Sequence, residues 1–412
     1  VLSSSPRATE HSPVETVHQE AGSTRTLPGR LVAVLVIAAL FVVAAYLVST
    51  VGLQALRSST ARTPATPGTV PDLVYNAPET VPTTAEFGPV GAVSLVFAGS
   101  DVLTGLSGKL DNPWIMVSAH TGDYRALSAP HRPDPRPDAV TVSPDGSTLA
   151  WGFQGGLVLY DPVTDDAREI TDGVGADPEV GAFSPDGRHL VVHDGTAKIL
   201  DTETGRVIAS LSGVTAPQAR QAVWTPSGVA LTYGAPGGLV THAWRSDART
   251  TAAAPIPPTA TLAWQPSGDR LGVMRHVRGV GSVDVFDVGP NGRLTKAFVV
   301  APDGYSLQEL LGFTGDTRVS VRALTLETGP LEIVYSMSTV DTAQPSQVMQ
   351  LPGPGSNWVG AETLDVATEP LARGSRDFGE PQWPWSHLAK LVSCVVLAVF
   401  LAGLYLTRRP RG

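Results

Sequence analysis

The sequence predicts an all-β fold, a six- or seven-bladed β-propeller flanked by two transmembrane α-helices. Three observations carry that prediction. A five-residue turn signature occurs four times, at spacings of 41, 41 and 40 residues. Two long apolar runs stand apart from it, towards either end. Gly and Pro together supply 77 of the 412 residues, which feeds turns and excludes coiled coils and long helical repeats between the runs. A disulfide or zinc scaffold is excluded as well, because Cys394 is the one cysteine. A net charge of −9 and only four lysines speak against nucleic-acid binding.

Residues 1–30 carry Arg7, Arg25 and Arg30 against Glu10, Glu15 and Glu20 and show no sustained apolar period. A disordered cytoplasmic tail is expected there. Residues 31–53 then run for 23 positions without a charge. At 1.5 Å rise per residue they reach across a hydrocarbon core of roughly 30 Å. The run far exceeds the roughly 7–15 residues of a signal-peptide core, so a retained anchor is read. The second run, 388–406, is broken only by Lys390, which can snorkel to the interface. Trp383 and Trp385 before it and Tyr405 at its end stand where an aromatic belt would.

Two spans place both ends on one side. Arg408, Arg409 and Arg411 in the tail 407–412 assign that side to the cytoplasm. Arg57 and Arg62 tie the count around the first span, and composition breaks the tie. The Thr- and Pro-rich stretch 54–89 reads as an extended extracytoplasmic linker. Residues 64–386 carry 20 basic and 35 acidic side chains, an acidic domain placed outside. A cell-membrane protein with two spans is therefore expected, its propeller at 90–372 and a juxtamembrane segment at 373–387.

The repeat itself reads Val142-Ser143-Pro144-Asp145-Gly146, Phe183-Ser184-Pro185-Asp186-Gly187, Trp224-Thr225-Pro226-Ser227-Gly228 and Trp264-Gln265-Pro266-Ser267-Gly268. An apolar strand leads into each copy. Proline presets φ at the second turn position and glycine takes φ > 0. Short strands follow, such as 148–153, 157–160, 189–193, 197–200 and 207–211. Four strands per 40 residues make one propeller blade. Ala301-Pro302-Asp303-Gly304 breaks the spacing, and Phe313-Thr314 fits the frame better. Blades are expected at about 90–128, 139–171, 180–212, 220–250, 260–297 and 308–351. Residues 358–367 would close the ring against the first blade, or join 72–76 in a seventh.

An aromatic residue followed by Ser-Pro-Asp-Gly resembles the repeats of WD-repeat and TolB-type propellers, strongly over 139–297. The turn aspartate is serine at 227 and 267, and no Trp-Asp pair closes a blade. Arg-rich, Lys-poor usage with abundant Ala, Gly and Pro is similar to that of high-GC bacteria. The likeness is thus to membrane-anchored propellers of actinobacterial type. It implies a non-enzymatic recognition or scaffold role.

Catalytic signatures are missing: no G-x-S-x-G, no H-E-x-x-H, no Walker A. Neither a catalytic set nor a cofactor or metal site is assigned. Several constellations were weighed against plain structural roles. His131, Asp134 and Asp138 read as a stiff proline linker rather than metal ligands. Arg270, Arg275, His276 and Arg278 form one basic knot, read as a solvated loop over a grip for an anionic polymer. Asp145 and Asp186 read as turn carboxylates, Trp224 and Trp264 as core. His120, His189, His193 and His242 sit on or beside separate strands. His189 and His193 share a side at period two but lack a third ligand. The reading is an extracytoplasmic binding or scaffold module whose partner is a protein or envelope polymer. A transmembrane sensor is the first alternative, and a propeller hydrolase or lactonase with a channel metal the second.

Overall fold

The computed structural model describes residues 67–383, apart from 105–107, 135, 137–138, 255, 258–259, 278–279, 290–291, 302–304, 315–317, 326–331, 339–345, 352–362 and 382, together with six helical residues between 392 and 401. The chain divides into two units, Val48–Leu391 and a second formed by Val1–Leu47 with Val392–Gly412. All named strands belong to the first.

The chain enters through β1 (Val70–Pro71) and the short helix α1 (Thr84–Phe87). It continues through β2 (Val93–Ala98), the hairpin β3 (Val102–Thr104) and β4 (Gly108–Leu110), β5 (Trp114–Ser118) and β6 (Tyr124–Ala126). Five antiparallel sheets follow, each of four consecutive strands. The first holds β7 (Val140–Val142), β8 (Leu149–Phe153), β9 (Gly156–Asp161) and β10 (Asp166–Ile170). The next holds β11 (Glu179–Phe183), β12 (His189–His193), β13 (Ala197–Asp201) and β14 (Arg206–Leu211). Helix α2 (Ala216–Gln221) leads to β15 (Val223–Trp224), β16 (Ala230–Ala235), β17 (Gly238–Ala243) and β18 (Ala248–Ala252). Then come β19 (Thr261–Trp264), β20 (Arg270–Val277), β21 (Val280–Val288) and β22 (Leu294–Val300). The last meander is β23 (Tyr305–Thr314), β24 (Arg318–Thr325), β25 (Glu332–Ser338) and β26 (Ser346–Gln350). The chain ends its sheets with β27 (Asp365–Val366), helix α3 (Thr368–Arg373) and β28 (Ser375–Arg376). This is a mainly-β propeller of five complete meander blades plus a further four-stranded sheet, in the order β27-β2-β5-β6, drawn from both ends of the domain.

The signature turns explain the regularity. Gly146, Gly187, Gly228 and Gly268 have φ of 76°, 70°, 69° and 83°. The N–H of each donates to the carbonyl three residues back, on Ser143, Ser184, Thr225 and Gln265, at 2.8–2.9 Å. Each turn reverses the chain from the first strand of a blade into the second. The last strand is outermost: every residue of β10 but Ile170, and every residue of β18 but Ala252, is exposed.

Apolar side chains from facing sheets interleave in six clusters. Val93, Trp114 and Met116 of the closing sheet meet Val140, Trp151 and Val158 of the next. Similar clusters join each later pair. The sixth cluster brings Leu95 and Ile115 against Val348 and Met349, so the last meander meets the closing sheet. Burying an aromatic such as the wholly enclosed Trp151 stabilises by about 3–5 kcal/mol relative to alanine.

The expected closure against the first blade is present. Leu95 pairs with Val366 and Val96 with Asp365, and the Thr363 hydroxyl accepts from the Ala98 N–H at 2.9 Å. Residues 72–76 take a different course from the one expected. Val74 N–H donates to Gln350 O, and Gln350 N–H donates to Asp72 O, each at 2.8 Å. They lie along the open edge of β26, whose backbone groups otherwise lack partners. Among the described residues there is no seventh four-stranded sheet.

The linker is also shorter than expected. Val70, Val74, Ala77 and Val81 are buried in the core, because these apolar positions, spaced between prolines, cover the outer strands. The juxtamembrane segment is likewise engaged: β28 pairs in parallel with β1. Trp383, expected in an aromatic belt, instead meets the Tyr124 ring edge to face at 5.3 Å. No helix of the described residues is long and apolar enough to cross a membrane. The run 31–53, most of 388–406, Trp385 and Tyr405 lie outside the described residues. Val392, Val395, Val396, Leu397, Val399 and Leu401 are described, helical and 44–67% exposed.

Candidate functional site

The turns between first and second strands and those between third and fourth share one face of the propeller. The carboxylates on it largely serve the chain itself. Asp145 Oδ1 accepts from the Ser143 hydroxyl at 2.7 Å, the Ser147 N–H at 3.0 Å and the Ser147 hydroxyl at 2.8 Å. Asp186 repeats this with Ser184 at 2.6 Å and the Arg188 N–H at 3.2 Å. Burial pushes both carboxyls up, but these hydrogen bonds outweigh it and hold them below the ordinary carboxylate value. The turn reading of both residues therefore fits the geometry. With serine at 227, the Thr225 and Ser227 hydroxyls meet at 3.2 Å instead.

A second clasp closes the turns between third and fourth strands. Tyr160 hydroxyl donates to Asp165 Oδ1 at 2.6 Å. His242, wholly buried, places Nε2 2.6 Å from Asp247 Oδ1. Asp165 and Asp247 both stand at positive φ, 64° and 54°. The Ser212 hydroxyl, then His242, hold the Asp247 carboxyl below its ordinary range. His242 is thus spent inside one blade.

The other histidines do not converge. His193 Nδ1 accepts from the Gly195 N–H at 3.4 Å at the far end of β12. His120 lies in the turn after β5. His131 stacks on Phe153, ring centroids 4.1 Å apart, and faces Glu169 at 3.3 Å. Asp134 is exposed, and Asp138 lies outside the described residues. Among the described residues no three His, Cys, Asp or Glu side chains are grouped to hold a metal. Cys394 is not among them.

The basic knot resolves into pairs within its own blade. Arg270 Nε meets Asp287 at 3.0 Å, and Arg275 meets Asp284, which Lys296 also approaches at 2.7 Å. Asp284 is buried, so its charge depends on these cations. His276 is exposed, and Arg278 lies outside the described residues.

One aromatic cluster, with an exposed arginine at its rim, sits at the junction of the β11–β14 and β15–β18 blades. Trp224 ends β15, and its indole N–H donates to Ala182 O of β11 at 2.9 Å. Trp244 follows β17, and its N–H donates to Gly228 O at 3.1 Å. The two rings cross edge to face with centroids 6.5 Å apart. His189, opening β12, lies 6.0 Å from Trp224 and 5.0 Å from Trp244. The exposed Arg245 guanidinium lies 4.7 Å from the Trp244 ring centroid. Asp186 is 4.0 Å from His189 Nδ1. Both tryptophan rings are buried, 5% and 8% exposed, in the core between these two blades, and Arg245 is the cation of the cluster that reaches solvent, where an arginine can dominate binding. Trp224 and His189 were singled out in the sequence, Trp224 as core, which is where the structure places it. Trp244 and Arg245 were missed, although an aromatic at the end of a third strand was the available signal. Trp264 stays structural, with its N–H on the Thr232 hydroxyl at 3.1 Å.

No family model matches the chain, and no curated protein matches it. Solved structures similar to it include a putative TolB from Agrobacterium tumefaciens, at 15% identity and TM-score 0.40, covering 52% of this chain and 81% of that one. TolB from Acinetobacter baumannii shows 16% identity and TM-score 0.40 over 65% of this chain and 68% of that one. The Cps50 (Swd1) β-propeller domain of Myceliophteria thermophila shows 17% identity and TM-score 0.41 over 63% and 87%. These are distant likenesses of architecture, to TolB-like and WD40-like propellers by structure only.

Proposed function

We propose that the chain is a membrane-anchored, six-bladed propeller that binds a protein or polymer of the cell envelope without catalysing a reaction. The carrying observation is the exposed Arg245 on the turn face, its guanidinium 4.7 Å from the ring of the buried Trp244, while the carboxylates around it are engaged in turns. The closing sheet supplies the sixth blade. Anchoring is supported by the described residues between 392 and 401, all apolar and all exposed, within a 19-residue apolar run. Such a surface is stable against lipid rather than water.

The test uses the full chain in detergent and envelope extract from its own source. A partner captured by the wild type is expected to be lost with Arg245→Ala, by tenfold or more, and retained with Arg220→Ala, a change at α2. Equal capture by all three chains contradicts the site. Reporter fusions at the C-terminus address the topology separately, with both ends expected in the cytoplasm, and activity only on the outer face contradicts it. A sensor role has its own support: both ends of the domain attach to one side chain, Tyr124.

A further inference from the structure

We infer that residues 69–84, 375–381 and Trp383 form a single strap over the seam of the propeller, so that closure of the seam depends on both ends of the domain at once. This holds whatever the propeller binds.

The closing strand is weak by itself. β27 has two residues and two paired positions on β2; β15 is as short, but it runs through a local turn into its partner, whereas β27 reaches β2 from the other end of the domain. The strap lies at the opposite, outer edges, on β6 of the closing sheet and on β26 of the last meander. Thr69 N–H donates to Ala119 O in the turn after β5 at 2.9 Å, and β1 then pairs with β28. The chain next runs along β26 and crosses to the closing sheet, where Ala126 N–H of β6 donates to Pro82 O at 2.8 Å. One segment thereby covers the outer edges of both sheets that flank the seam.

Tyr124 ties the two ends together. Its hydroxyl accepts from the Tyr75 N–H at 2.9 Å. Trp383 packs on its ring from the other end of the domain. Phe97 of β2, the strand paired with β27, meets the same ring at 6.4 Å. A displacement of either end therefore reaches the strand that closes the propeller. Release of the strap would bare the edges of β6 and β26, two unpaired strand edges open to an added strand.

Hydrogen exchange of the full chain in detergent tests this with Tyr124→Phe and Trp383→Ala. Tyr124→Phe keeps the ring packing and removes only the hydroxyl, so it decides the matter even where Trp383→Ala unfolds the domain. The expected result is faster exchange, by about tenfold, in 69–84 and in 363–367 together, with β11–β22 unchanged. No change, a rise confined to one segment, or an even rise over every sheet would overturn the inference.

Discussion

The β7–β18 blades and the seam solve one problem by different means. In the blades each sheet is made from consecutive strands, so every hairpin is local and its turn chemistry is written beside it. At the seam the strands come from residues 93–126 and 365–366, and the joint is completed by segments outside the repeat. The difference teaches where stability is distributed. A blade tolerates loss of one turn bond because its strands remain adjacent in sequence. The seam relies on long-range contacts, each of which closes a large loop at an entropic cost.

The signature glycines give the sharpest way to break this comparison. Gly146 and Gly187 have nearly the same φ. A Cβ on Gly146 would stand 1.9 Å from Val93 O of the closing sheet, whereas on Gly187 its nearest neighbour is 4.0 Å away. Gly146→Ala is expected to cost more than about 3 kcal/mol, since backbone must move as well as φ strain be borne. Gly187→Ala should cost about 1 kcal/mol, the conformational term alone. Denaturant unfolding of the two variants measures both, and equal losses would deny the seam any special role.

Next in size come the turn hydroxyls. Ser143 and Ser184 are buried, and each donates to its aspartate while accepting the N–H of Thr148 or His189 at 2.8–2.9 Å. Ser184→Ala should destabilise by about 1–2 kcal/mol. Ser143→Ala, beside the seam, should cost at least as much.

The smallest effect is a pH dependence. Asp145 and Asp186 have native pKa values below their ordinary 3.8. Asp201, held by the Thr204 N–H and hydroxyl against some burial, does too. A depressed native pKa stabilises fully above the ordinary value, and that contribution disappears as pH falls through the native value. The melting temperature should therefore hold steady from these groups above pH of about 5 and fall below pH of about 4. Asp186→Asn should flatten part of that fall, and an identical acid profile would remove Asp186 from the account.

The blades were legible because their determinants are short-range. The Pro-Asp/Ser-Gly turns located the meanders, and Phe313-Thr314 correctly ended β23 where the rival copy at 301–304 did not. Asp145 and Asp186 were readable as turn residues from their repetition. The strap was not legible, because its pairing partners lie tens to hundreds of residues away and its Thr/Pro composition is that of a free linker. Val70, Val74 and Val81 are too widely spaced among prolines to show a strand period. Trp383 carried the signature of a membrane-interface residue and found a buried tyrosine instead. Trp244 and Arg245 belong to one blade but gain their meaning from His189 of the neighbouring one, a contact that no local pattern encodes.

Closure of the propeller by its own two ends is the central claim, and a cross-link tests it most directly. Leu95 and Val366 are paired across β2 and β27. With Cys394 replaced by serine, the double variant Leu95→Cys, Val366→Cys should oxidise within single chains, running as a monomer of altered mobility at every protein concentration. Disulfide-linked dimers, or no oxidation in a folded chain, would contradict it.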